Sequence, residues 1–305
     1  MVALRSVVVA AAISLAPIAA SAAPGAAWTA ARSNLPKDTT VLVGLDLVQL
    51  TRSSLFTMAF PLMLAQQPEI KDGLDLVKTN CKLDPLKVVQ GVVFGTDDTQ
   101  KHGAIYIAVD GLDQPKIVSC LEAVAKAKGK DTKVSVKTDG KINELTLGDK
   151  TIYMSWIGTS VLVIPLEITN KADLAAWSGA KGLIKSKVGK ASGKVNTGGA
   201  LWAVSAVAKD LDDKTKMKLG YGSMTLASSK IAADLHVQLD SAENAKAAAD
   251  KAQKELSTLA GSPGLAPNLK TVLSAVTVTS AADEVQVKGS MPESDVLSLI
   301  GALMK

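Results

Sequence analysis

The chain is poor in the residues that most chemistry requires. Aromatic side chains make up only 3% of 305 residues, which counts against an aromatic-lined sugar site or a base-stacking platform. Two histidines, His102 and His236, and two cysteines, Cys81 and Cys120, leave little material for a metal centre. Arginine occurs only as Arg5, Arg32 and Arg52. The bidentate phosphate reading that arginine supplies is therefore scarce, and specific nucleic-acid binding is disfavoured. Charged residues are 21% with a formal net charge of +5, which excludes an acidic or basic tail-type protein. Apolar residues, by contrast, reach 47%. That is enough for a sizeable core and too much for a disordered chain. The length suggests about two domains.

Motifs for common cofactors fail on spacing. The run from Gly189 to Lys194 has the wrong glycine interval for a phosphate loop. Val195 stands where a serine or threonine must reach magnesium. Gly220-Tyr221-Gly222 lacks the third glycine of a dinucleotide loop and leads into a hairpin. No G-x-S-x-G nucleophile elbow occurs. His236, between Asp234 and Gln238, reads as part of an exposed polar strand face. His102 shares a loop with Asp97 and Asp98, without the regular oxygen alternation of a calcium site. No cofactor, no metal site and no catalytic residue is expected from these patterns.

The first 22 residues read as a signal peptide. Arg5 and the amino terminus form a positive region, residues 7–18 an apolar one, and Ala20-Ser21-Ala22 a small-residue cleavage signal. Cleavage is expected between Ala22 and Ala23, since one residue later Pro24 would follow the scissile bond. A membrane anchor is the alternative, but the run falls short of the ~20 residues of a span and Pro17 interrupts it. The mature chain is therefore expected to be bacterial, periplasmic or secreted, with no transmembrane segment. In an oxidising compartment Cys81 and Cys120 are most simply one disulfide, with two free buried thiols as the alternative.

The pattern of the mature chain is α+β, with antiparallel sheets each covered by helices. Strands are expected at 40–46, 89–95 and 104–110. A four-strand meander over 134–164 follows, turned by Asp139-Gly140, Gly148-Asp149 and Gly158-Thr159. Pro115 and Gly129 bracket a helix whose face carries Ile117, Cys120, Leu121, Val124 and Ala125. Asp240 to Glu243 reads as a capping box. Behind it Ala245, Ala248, Ala249, Ala252, Leu256 and Leu259 keep one helical face. Ile231, Ala233, Leu235, Val237 and Leu239 alternate with polar residues, giving a strand with one buried and one wet side. The order of elements in 200–305 resembles that in 23–180, which reads as a two-copy duplication around a Lys/Gly/Ser-rich linker at 181–199.

Two surfaces stand apart from this frame. Lys126, Lys128, Lys130 and Lys133 cluster, and Lys181, Lys185, Lys187, Lys190 and Lys194 follow one another without an acid among them. Either group suits an anionic lipid or polymer, or simply keeps the surface soluble. The stretch over 55–65 is apolar all round: Leu55, Phe56, Met58, Phe60, Leu62 and Met63 carry it, and Pro61 is expected to kink or end its helix. Such a helix is buried, or it meets an apolar ligand, a membrane surface or a partner.

Residues 35–46, Leu35-Pro-Lys-Asp followed by an apolar strand ending at Asp46, continue to Ser54-Leu55. They resemble the opening of uncharacterised exported bacterial proteins built from repeated α+β units. The resemblance implies an envelope location and no particular activity. The leading expectation is a non-enzymatic exported protein that binds a protein partner or apolar ligand through the 55–64 helix and its neighbouring sheet. The rival is an exported hydrolase with a site assembled from distant loops.

Overall fold

The computed structural model describes residues 25–99, 102–127, 134–140, 142–147, 150–166, 171–211, 215–227 and 229–297. The expected signal segment with Ala22 and Ala23, the expected Gly148-Asp149 turn, the lysines at 128, 130 and 133, and the chain from residue 298 lie outside them.

Helix α1 (Ala26–Asn34) and strand β1 (Val41–Asp46) open the chain, followed by helices α2 (Leu47–Arg52), α3 (Ser54–Gln66), α4 (Pro68–Cys81) and α5 (Pro85–Val88). A hairpin of β2 (Val89–Thr96) and β3 (Gly103–Val109) leads through α6 (Gln114–Ala127) to the meander. Its strands are β4 (Val134–Asp139), β5 (Ile142–Leu147), β6 (Lys150–Ile157) and β7 (Val161–Leu166). After α7 (Lys171–Ser178) and α8 (Lys187–Ala191) come β8 (Leu201–Ser205), the short β9 (Lys209–Asp210), and the long hairpin of β10 (Lys216–Ala227) and β11 (Lys230–Leu239). Helices α9 (Ala242–Ala260) and α10 (Pro267–Ser274) precede a last hairpin, β12 (Val276–Ala281) and β13 (Glu284–Pro292).

The fold class is α+β, and the four-strand meander forms as the turn chemistry requires. Gly140 and Gly158 in two of its turns have φ of +58° and +64°, a region that glycine enters without a Cβ penalty. The sheet count differs from the sequence reading. Among the described residues thirteen strands join one antiparallel sheet, in the order β12-β13-β11-β10-β8-β1-β2-β3-β7-β6-β5-β4, with β9 beside β10. The seam is β1, where Leu42 faces Gly95 of β2 on one side and Val204 of β8 on the other.

The first face of this sheet carries Leu42, Tyr106, Val163, Trp202 and Val204 under α1, whose Ala27, Ala30 and Ala31 are buried. Small residues on α1 let it approach the sheet closely. Gly44 is needed here because a Cβ would stand 2.1 Å from the Trp202 ring, which lies edge-on to Trp28 at 4.8 Å. The Tyr106 hydroxyl donates to the carbonyl of Trp177, and burial pushes its ionisation well above the usual tyrosine range. The segment 181–199 is folded into the same core: Leu183, Val188 and Ala191 are buried while the lysines between them stay outside.

The second face has two separate helical covers. Over the meander, α6 packs Ile117 and Leu121 on Leu145, Met154, Trp156 and Leu162. Over the far end, α9 packs Ala245 and Ala249 on Leu239, Val278 and Val285. The α9 cap sits one residue later than the capping box predicts. Ser241 Oγ accepts from Asn244 N, while Asp240 binds the Asn244 side chain, whose hydrogen bond holds the Asp240 carboxyl below its ordinary range. Cys81 and Cys120 form a disulfide that ties the end of α4 to α6, with Cα atoms 4.8 Å apart. Among the described residues no helix is long and apolar enough to cross a membrane.

Candidate functional site

Alternation along the strands decides what lies between the two helical covers. Side chains on a strand point to opposite faces in turn, and the registers place Ala203 opposite Gly222, Leu201 opposite Met224, and Gly222 opposite Leu235. Leu201, Ala203, Ser205, Met217, Met224, Ala233, Leu235 and Val237 therefore share the second face. They line a trough of about 500 Å³ with almost wholly apolar walls. Gly220 and Gly222 deepen its floor. A Cβ on Gly222 would meet the Leu235 side chain and the Asp234 carbonyl, each at 2.6 Å. The apolar side of β11, read as buried throughout, is buried only at Ile231 and Leu239. Leu235 between them is 48% exposed, because α9 covers one end of the strand and no described element covers its middle.

Helix α3, the apolar stretch singled out in the sequence, contributes no residue to the trough lining. Its amino terminus is fixed from two sides: Ser53 Oγ accepts from Phe56 N at 3.1 Å, and the buried Glu293 carboxylate accepts from Ser54 N at 2.9 Å. Glu293 N in turn donates to Ser229 O in the β10–β11 turn, so the start of α3 is tied to the end of that hairpin. A carboxylate at a helix start also suits the helix dipole. The helix runs through Pro61 to Gln66 rather than ending there, and it packs on α2 and α4 rather than on the sheet. None of its residues is buried. Phe56 and Phe60 stack at 4.6 Å, Leu55 is half-buried, and Met58, Leu62 and Met63 are exposed.

On the first face, directly behind the trough, His236 is not the exposed residue that its polar neighbours suggest. Its side chain is only 16% exposed, because cross-strand Tyr221 stacks on it at 4.7 Å with a 4° interplanar angle. Asp234 lies 2.9 Å from Nε2 and Glu284 2.8 Å from Nδ1. Both sit off the N–H axes, so Nδ1 has no aligned hydrogen bond. The Tyr221 hydroxyl donates to Glu284. Burial first, and that hydrogen bond second, push the Tyr221 ionisation well up. Lys288 approaches Asp234 at 3.6 Å, and Lys194 lies 5.5 Å above the Tyr221 ring. Sequence reasoning missed Tyr221 and Glu284, since only the pairing of β11 with β10 and β13 brings them to His236. His102 stays exposed in its hairpin loop and meets Asp97 at 3.1 Å. Burial raises the Asp97 carboxyl, but hydrogen bonds from Thr99 and His102 outweigh it and hold the group below its ordinary range.

No family model matches the chain, and no curated protein does. Solved structures with a similar course are crystal forms of TP0453. Form III matches over 90% of this chain and 97% of that one, with a TM-score of 0.48 and 7% identity. Form I matches over 94% and 100%, at 0.45 and 8%. Form IV matches over 90% and 99%, at 0.47 and 8%.

Proposed function

We propose that the protein is an exported, non-enzymatic component of the cell envelope, periplasmic or secreted, that holds an apolar ligand in the trough over β8, β10 and β11. The observation that carries this reading is the gap between two helical covers, which leaves a concave, apolar stretch of sheet open to solvent. Contiguous apolar surface of this kind marks binding sites more often than idle surface. The intramolecular disulfide fits an oxidising compartment. Helix α3, with Leu55, Phe56, Met58, Phe60, Leu62 and Met63, stands apart from the trough lining and offers a separate apolar surface to a partner. Its methionines are flexible, and no buried residue holds it down.

A hydrolase reading would rest on His236 between Asp234 and Glu284. His236 contributes to the trough lining, but strand alternation turns its imidazole to the other face with Asp234 and Glu284, and neither acid lines the trough. The test of the ligand reading is titration with a naphthylamine dye that brightens in apolar surroundings. Saturable emission with one dye per chain is expected, and an emission change that never saturates contradicts the trough.

A further inference from the structure

A second surface lies on the opposite side of the sheet from the trough. The segment joining α7 to β8 carries Lys181, Lys185, Lys187, Lys190 and Lys194, all exposed. Backbone hydrogen bonds from Gly182 and Leu183 to Leu35 O, at 3.0 and 2.9 Å, bring exposed Lys37 alongside, with Asp38 next to it. Among the described residues none of these six lysines forms an ion pair. In their midst stands Ile184, 58% exposed and, among the described residues, the most exposed of the large apolar side chains. The presentation is rigid. Leu183 and Val188 are fully buried beneath, and Ser186 Oγ caps α8 by accepting from Gly189 N at 2.9 Å.

We propose that this basic patch, with Ile184 at its tip, docks the protein on the surface of an anionic lipid bilayer. A polyanionic chain would use the lysine charges but leave Ile184 without a role. A bilayer uses both, the headgroups attracting the ammonium groups and the acyl boundary accepting the apolar side chain. Lysine suits the task, since its long apolar stem lies along the interface while its charge stays in the headgroup layer. Lys194 is committed to the Tyr221 ring, so Lys185, Lys187 and Lys190 carry most of the attraction. The patch covers the first face and the trough opens on the second. The docked protein therefore turns its trough away from the bilayer, and either surface can fail without the other.

The test is co-sedimentation of the full mature chain with vesicles of phosphatidylcholine alone, or mixed with phosphatidylglycerol. Binding is expected only to the mixed vesicles, and it is lost at about 0.5 M salt, where charges are screened within a few ångströms. Lys185→Gln, Lys187→Gln and Lys190→Gln together weaken it roughly 100-fold, at about five-fold per lysine. Ile184→Ser weakens it about ten-fold. If the triple variant does not fold, the salt titration and Ile184→Ser still decide. Equal binding to both vesicle types, or to neither, overturns the proposal. Salt-sensitive binding that Ile184→Ser leaves unchanged overturns the bilayer in favour of a polyanion.

Discussion

Ala203→Glu is expected to weaken naphthylamine binding by at least roughly 100-fold while leaving the fold intact. Ala203 lies on β8 at the floor of the trough, exposed to solvent. In the empty protein its glutamate would remain hydrated, so the change in stability should stay within about 0.5 kcal/mol of an ordinary surface substitution. With the trough filled, the carboxylate would be buried against an apolar molecule with no partner, which costs several kcal/mol. Dye titration and urea unfolding on the same sample separate the two effects. A parallel variant, Met58→Asp on α3, should leave the dye affinity unchanged, because no α3 residue lines the trough. Unchanged affinity in Ala203→Glu places the dye elsewhere and removes the trough from the mechanism. Loss of folding in Met58→Asp would show instead that α3 belongs to the core.

Cys120→Ser is expected to lower stability by roughly 4 kcal/mol, the chain-entropy value for freeing the loop that the bond closes. The physical setting makes the effect local as well as global. Helices α3 and α4 have no buried residue between them, and the end of α4 is held to the sheet through α6 by the Cys81–Cys120 bond. Breaking it removes the main anchor of a weakly packed pair. Urea unfolding should show the lower midpoint, and limited proteolysis should show new cuts within 54–81 before the rest of the chain opens. A wild-type midpoint in the reduced protein would mean that packing of α4 on α6 suffices alone.

Local chemistry was the legible part of the fold. The meander followed from glycine turns and alternating strands, the Cys81–Cys120 bond from the cysteine count and the expectation of export, and the α9 face from alanine spacing as far as Leu256, while Leu259 is 53% exposed. The α9 cap was misplaced by one residue because Asp240 and Ser241 are both competent caps, and only the end of β11 decides between them. The single sheet was not legible. It depends on Leu42 pairing with Val204, a contact between distant segments that no local periodicity records. The composition of 181–199 suggested a linker, and its few apolar residues gave little warning that Leu183, Val188 and Ala191 among them reach the core.

The candidate site divides the same way. The apolar stretch of α3 was visible as composition, since no polar face interrupts it. The trough was not, because the alternation in β11 is identical whether a helix covers Leu235 or leaves it open. Cover is a property of α9 and α6, whose lengths and positions are set by their own packing. His236 was misread for a related reason: its neighbours in sequence are polar, while its neighbours in space are Tyr221 and Glu284.

The most direct measurement is native mass spectrometry of the protein expressed from its full chain and purified without detergent. An apolar ligand held in the trough predicts a species heavier than the polypeptide by a discrete mass. That mass leaves on collisional activation and is missing from Ala203→Glu. A bare polypeptide mass under the same gentle conditions, identical in wild type and variant, would contradict the proposed function.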